Sequence, residues 1–189
     1  MYLCTLIIQL QAIMKSTLSG ILTFVVILLI ITSCVSIDPT TDYSAWKKLN
    51  DSYFTNMKDS TGYTLYTIPA SSGGSSFYYN VTTPGDPKSM SPLATDKVTV
   101  DYRGQLITGY IFDQNYSGTV IPPDSVATPN TFYANQLVRG WTANLIQMKV
   151  GETRDIILPQ ELGYGSIGAG FISPYSTTVW TVHLIKVIH

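Results

Sequence analysis

Cysteine and histidine are nearly absent, two of each among 189 residues. That is too few to build the four-ligand Cys/His cages of structural zinc sites. Charge is scarce as well. Asp, Glu, Lys and Arg make up 12% of the chain, about half the roughly 25% of an ordinary soluble domain. Eleven Lys+Arg against 12 Asp+Glu leave a net charge of −1, with no basic run. A chain without a positive field has little with which to hold a phosphate backbone, which excludes nucleic acid as a partner. No apolar run reaches the roughly 20 residues that a spanning helix requires. What the chain has instead is 45% hydrophobic residues, enough for a packed core, and 13 Tyr.

The longest apolar run, Leu18 to Ile31, rises about 21 Å as a helix, short of a roughly 30 Å hydrocarbon core. It reads as the hydrophobic region of a signal peptide covering residues 1–33, with Lys15 as its positive segment and Met14 as a candidate start. Ile31-Thr32-Ser33-Cys34 follows, an apolar residue, two small ones and a cysteine. This resembles the bacterial lipobox. The resemblance implies cleavage before Cys34, lipidation of its thiol, and a chain anchored in the cell envelope, facing the periplasm. Residues 34–43, with Asp38-Pro39-Thr40-Thr41-Asp42, then form a lipidated tether.

Trp46, Leu49, Tyr53 and Met57 recur at steps of three and four, one stripe of an amphipathic helix capped by Asp42 or Ser44 and ended by Gly62. Tyr63–Ile68 and Phe77–Thr82 are rich in β-formers and flank a Ser/Gly loop, the pattern of a hairpin. Together they make an N-terminal helix and hairpin extension, residues 44–76. From residue 77 to 189 a second region runs to the end of the chain. Val98, Val100 and Tyr102 lie on one face of a strand, with polar residues on the opposite face. Tyr110–Asp113 closes the next strand, and residues 114–130 form a long loop. Leu137, Trp141, Leu145 and Met148 fall at helical spacing; Thr153–Leu158 and Thr178–Val187 are strands. Connections this short cannot carry repeated βαβ crossovers, so the class is α+β, a mainly antiparallel sheet with one helix against a face.

Several chemistries drop out. Gly163-Tyr164-Gly165-Ser166-Ile167-Gly168 fits G-x-G-x-x-G, but Pro174 and a strand follow where a dinucleotide fold needs a helix. His183 within the last strand and His189 at the last position are poorly placed as general bases. Asp113 and Glu161 are too isolated to suggest a glycosidase pair.

One ordered series of motifs stands out. Val98-Thr99-Val100-Asp101-Tyr102-Arg103-Gly104 precedes Gly109-Tyr110-Ile111-Phe112-Asp113, then Thr131-Phe132 and Asn135-Gln136-Leu137-Val138-Arg139-Gly140-Trp141. Met148-Lys149-Val150-Gly151-Glu152, Leu158-Pro159-Gln160-Glu161-Leu162-Gly163-Tyr164-Gly165 and Thr178-Val179-Trp180-Thr181-Val182-His183-Leu184 complete it. Across residues 77–189 the series resembles the FKBP-type peptidyl-prolyl isomerases. The resemblance implies a half-wrapped antiparallel sheet around one short helix, with an apolar pocket between them. It also implies a catalysed rotation of X–Pro amides without cofactor or metal. Partners would be proline-containing polypeptides, the family's macrolide inhibitors, and the membrane through the lipid anchor.

By position, Tyr102, Phe112, Asp113, Trp141 and Tyr164 match the family's catalytic set, and Phe132, Leu137, Val138, Phe171, Ile172 and Trp180 its substrate-binding walls. Trp141 matches the indole under the substrate proline ring. Tyr164 and the Val138 N–H match hydrogen-bond donors to the substrate, and Asp113 the carboxylate beside the twisting amide. A buried carboxylate needs a hydrogen bond, which the Tyr102 hydroxyl would supply. The chain departs from the family pattern in a loop after Gly165 that is about one residue shorter, with Ile172-Ser173-Pro174 for Ile-Pro-Pro. It also has Trp at 180 where Phe is usual, a longer segment at 114–130, and an added hairpin. An alternative use of the same pocket is a non-catalytic envelope chaperone that captures proline-containing or apolar segments.

Overall fold

Seven antiparallel strands share one sheet, and the computed structural model describes them within residues 41–118 and 128–189. The expected signal peptide, the lipobox with Cys34 and most of the tether lie outside the described residues, as does part of the 114–130 segment. The strands are β1 (Thr64–Thr67), β2 (Ser76–Thr83), β3 (Lys97–Leu106), β4 (Ile111–Gln114), β5 (Asn130–Tyr133), β6 (Thr153–Leu158) and β7 (Thr178–Ile188). Their order is β1-β2-β6-β7-β3-β4, and β5 also pairs β3. The two longest strands form the spine, in register from Lys97↔Ile188 to Leu106↔Thr178. β5 pairs residues 97–100 of β3 and β4 pairs residues 103–105. The hairpin β1–β2 is continuous with the rest, because β2 pairs β6 from Tyr78↔Ile157 to Thr83↔Thr153. Residues Asp42–His189 accordingly form one compact unit.

Period-2 alternation places two apolar clusters on opposite faces. Phe77, Ile156, Leu158, Trp180, Val182 and Leu184 pack with Val98, Val100 and Tyr102, and α2 (Arg139–Leu145) adds Trp141, Ala143 and Leu145. A seven-residue helix is not stable alone. Burial holds it, at about 1.5–3 kcal/mol for each large apolar side chain removed from water. On the other face Tyr78 and Ile157 pack with Met57, Tyr53, Phe54 and Val179. This brings α1 (Ser44–Asn56) and the 3-10 turn Met57–Asp59 onto the sheet.

Two sequence expectations need correction. The apolar stripe of α1 keeps Trp46, Tyr53 and Met57 but loses Leu49, which is 54% exposed, while the neighbouring Asn50 is fully buried. The reason is hydrogen bonding. The Asn50 Oδ1 accepts the Thr177 N–H at 2.8 Å and its Nδ2 donates to the Trp46 carbonyl at 2.8 Å, so a polar side chain takes an interior place without loss. The Asp42 carboxylate accepts the Ser44 N–H at the start of the helix (2.8 Å). Second, the stretch assigned as loop ends one residue earlier than expected, because Asn130 already belongs to β5. Asp101, on the other face of β3 from Tyr102, is buried opposite His183 in the β3–β7 register. Charge also enters the interior at Arg154 and Glu152, which form a buried ion pair. The Arg154 guanidinium also donates to the Asn144 side chain (3.3 Å) and the Gln147 carbonyl (3.1 Å) and lies over the Tyr79 ring.

Candidate active site

Between α2 and the concave face of the sheet lies a hollow of about 290 Å³. Tyr102 on β3 and Trp180 on β7 wall it from the sheet; Asp113 reaches it from β4, Asn130 and Phe132 from β5. Gln136, Leu137 and Val138 line the side that enters α2, Trp141 lies in the first turn of that helix, and Tyr164 closes the ring from the β6–β7 loop. Nine of the ten lining residues come from segments quoted in the sequence motifs; Asn130 does not.

The aromatic rings interlock edge to face. Trp141 meets Trp180 at 5.1 Å and 86°, and Tyr102 at 5.6 Å and 88°. Such pairs contribute about 0.5–1.5 kcal/mol beyond burial. Phe112 stands behind the wall rather than in it, 5.0 Å from Trp180 and 6.3 Å from Tyr164. The indole of Trp180 fits because β3 carries glycine opposite it. A Cβ at Gly104 would lie 2.6 Å from Trp180 Cε3 and 2.7 Å from Phe112 Cε2.

Two expected wall residues are not there. Phe171 is 76% exposed and its ring packs on Tyr110 at 6.2 Å. Ile172 is buried in the loop itself, its N–H bonded to the Ala169 carbonyl (2.8 Å) and its carbonyl to the Ala169 N–H (2.9 Å). The loop tip closes on itself here, turning residue 171 outward and residue 172 away from the hollow. Gly168, at φ +74°, makes that closure possible, because a Cβ there would run into the Ile172 carbonyl and the Pro174 nitrogen. The G-x-G-x-x-G string thus serves a tight loop.

The polar groups are few and specifically placed. The Tyr102 hydroxyl donates to Asp113 Oδ2 at 3.0 Å and accepts from Asn130 Nδ2 at 3.5 Å. Burial, reinforced by the Asp113 charge, pushes the Tyr102 phenol up to about 12, so it remains a donor at any ordinary pH. Asp113 itself is exposed, not buried as expected. It sits on the short edge strand β4, where its carboxylate stays hydrated at the mouth of the hollow. Burial, and secondarily the Asp113 charge, also raises the Tyr164 phenol above its ordinary value.

Among the described residues, the Tyr164 hydroxyl and the Val138 N–H have no protein hydrogen-bond partner, while the Val138 carbonyl accepts from Trp141 and Thr142. The Trp141 indole N–H is buried without a partner, a cost of about 1–3 kcal/mol of the kind that collects at functional sites. An apolar floor with unoccupied donors at its margin can seat a small ring and hold the peptide on either side of it.

Asn130 and Gln136 were missed as site residues. A lone Asn after a proline reads as a turn, and Gln136 carried no signal apart from its motif; only pairing of β5 with β3 brings Asn130 beside Tyr102.

Residues 88–185 match the family of FKBP-type peptidyl-prolyl cis-trans isomerases. Peptidyl-prolyl cis-trans isomerase Mip of Coxiella burnetii is 37% identical over 101 residues, 53% of this chain and 40% of that protein. The FKBP-type 22 kDa peptidyl-prolyl cis-trans isomerase of Escherichia coli is 38% identical over 98 residues, 51% of this chain and 44% of that one. The chain thus matches less than half the length of these relatives. Among solved structures, a peptidyl-prolyl cis-trans isomerase of Pseudomonas syringae pv. tomato superposes with a TM-score of 0.64 at 26% identity, covering 78% of this chain and 97% of that one. FkpA from Escherichia coli superposes with a TM-score of 0.61 at 30% identity, covering 75% and 59%. The family match spans just over half of the residues and includes β3, β4, β5, α2 and β6, which carry most of the hollow, so the chain belongs to the FKBP-type peptidyl-prolyl cis-trans isomerase family.

Proposed function

We propose that this protein accelerates cis–trans isomerisation of X–Pro bonds in polypeptides outside the cytoplasm, tethered to the cell envelope by a lipid on Cys34. The observation that carries the reading is an aromatic hollow floored by Trp141 and bordered by two unpaired donors, the Tyr164 hydroxyl and the Val138 N–H. The name of one relative, Outer membrane protein MIP of Legionella longbeachae, 38% identical over 98 residues, accords with an envelope address.

The task is rotation through a barrier of about 18–20 kcal/mol, which leaves the uncatalysed change taking tens to hundreds of seconds. No bond breaks, so neither nucleophile nor cofactor is needed. A planar amide draws part of its stability from a charge-separated resonance form, and that form is lost as the bond twists. An apolar hollow therefore disfavours the planar state relative to the twisted one. The proline ring rests on Trp141 between Tyr102, Phe132 and Trp180. Tyr164 and the Val138 N–H hold the flanking carbonyls, so that one side of the bond turns while the other is fixed. Asp113 faces the twisting amide from the mouth. An acceleration of 10⁵-fold requires about 7 kcal/mol, at about 1.4 kcal/mol per tenfold.

The test is a prolyl-peptide isomerisation assay on the purified protein, with a macrolide inhibitor of the family as competitor. Acceleration abolished by the macrolide is the expected result. Tyr164→Phe should lower kcat/KM by about 2–12-fold, the worth of one hydrogen bond, without moving Tm, since that hydroxyl has no protein partner. Unchanged activity in a Trp141→Ala/Tyr164→Phe variant would discard the site. An inactive protein that nevertheless suppresses aggregation would support the chaperone reading instead.

A further inference from the structure

The loop that delivers Tyr164 runs from Pro159 to Thr177, between β6 and β7. Its return limb is stitched to α1, which lies outside the segment matched by the family. Asn50 is fully buried, and its Oδ1 accepts the Thr177 N–H at 2.8 Å while its carbonyl accepts the Thr177 hydroxyl at 3.3 Å. One turn earlier, the Trp46 indole N–H donates to Ser176 Oγ at 3.0 Å, and that hydroxyl donates to the Ser173 carbonyl at 2.7 Å. Ser176 and Thr177 are both buried. Immediately before these anchors Tyr175 holds a left-handed φ of +63°, costly for a residue with a side chain, and its N–H donates to the Gly165 carbonyl at 2.9 Å. Gly165 is the residue after Tyr164.

From these contacts we infer that α1 is a brace for the active-site loop, with Asn50 and Trp46 as positioning residues that set where the Tyr164 hydroxyl stands. The route is short and polar throughout: α1 holds 176–177, that limb holds Tyr175 in its strained conformation, and Tyr175 holds Gly165. The Tyr164 ring packs on Phe112 at 6.3 Å, but no protein group fixes its hydroxyl, whose exact place therefore follows the backbone. Loss of an anchor therefore lets the hydroxyl drift, and a shift of the order of 1 Å in a positioning group is enough to be felt in rate. The inference rests on the isomerase reading for its kinetic consequence and on none of it for its structural one.

The experiment uses the protein with Trp46→Phe, which keeps the ring and removes the donor, and Asn50→Leu, which removes the acceptor. Each is made alone and in a Tyr164→Phe background. Amide hydrogen exchange and the isomerisation assay are both run well below each variant's Tm. Exchange at Gly165 and Tyr175 should accelerate while β3 and β7 stay protected. In the wild-type background kcat/KM should fall about 3–10-fold, mostly through kcat, as expected for one hydrogen bond lost in the transition state. In the Tyr164→Phe background the same substitutions should change it less than twofold. Equal losses in both backgrounds, or faster loop exchange with unchanged kcat/KM, would overturn the positioning role. If wild-type protein proves inactive, the isomerase reading fails on its own, and exchange at residues 165 and 175 that stays unchanged in both variants would then refute the brace. Should Asn50→Leu not fold, Trp46→Phe decides.

Discussion

Replacing Gly104 by alanine tests the architecture of the hollow from behind. The added Cβ would stand 2.6 Å from Trp180 Cε3 and 2.7 Å from Phe112 Cε2, whereas ordinary contact begins at 3.4 Å. The Trp180 ring must therefore retreat by at least about 0.8 Å and the Phe112 ring by about 0.7 Å, or β3 must move away from them. Trp180 has no slack, being packed edge-on against Trp141 and Phe112 and tied by its indole N–H to Thr178 Oγ1 at 3.0 Å. Overpacking of this kind costs about 1–3 kcal/mol, about 3–10 °C in Tm for a unit of this size. Because the rings that move form the wall of the site, kcat/KM should fall by about 10–100-fold, more than the stability loss alone explains. Trp180→Phe removes the crowded atoms, so Gly104→Ala/Trp180→Phe should be more stable than Gly104→Ala, with a coupling of about 1–2 kcal/mol. Thermal unfolding and the isomerisation assay on all four proteins close the cycle. Strictly additive effects, or a Gly104→Ala protein with unchanged Tm and rate, would refute the claim that this glycine exists to seat the indole.

Activity should be flat from about pH 6 to about pH 9, since Tyr102 and Tyr164 are both raised above the ordinary tyrosine value of about 10 and remain neutral donors throughout; a fall with a midpoint near pH 8 would contradict this. Arg154→Met strands the buried Glu152 carboxylate and should destabilise by about 3–5 kcal/mol, about 10 °C or more in Tm, with partial recovery on adding Glu152→Gln. No recovery would mean the ion pair is not the cause. Asp101 is raised above its unfolded value of 3.8 by burial, so the folded state binds its proton more tightly and stability falls as pH rises through that window. Asp101→Asn should therefore raise Tm at neutral pH, by an amount that disappears below about pH 4; a gain that persists in acid would rule out ionisation as its origin.

Local pattern made the inward-facing positions legible, and the family resemblance made a site of them. Trp141 and Leu145 fall at helical spacing on one face of α2, and Tyr102 and Trp180 each sit in a strand whose alternation points them inward. What failed were residues whose position depends on partners distant in sequence. Asn50 lies off the apolar stripe the sequence shows, yet it is buried because Thr177 supplies its hydrogen bonds across 127 positions. Phe171 reads as part of the wall until the loop tip closes through Ala169 and Ile172 and turns it outward.

The order of elements and the α+β class were determined by sequence alone, because periodicity and turn chemistry act over a few residues; the residues of the hollow were legible only through the family resemblance, and Phe112 and Phe171 lie outside it. Tertiary structure decided which polar side chains enter the interior, where the loop carrying Tyr164 is anchored, and that Asp113 stands at the mouth rather than within. Those outcomes depend on whether a distant donor or acceptor arrives to replace water, and one-dimensional pattern does not encode that meeting.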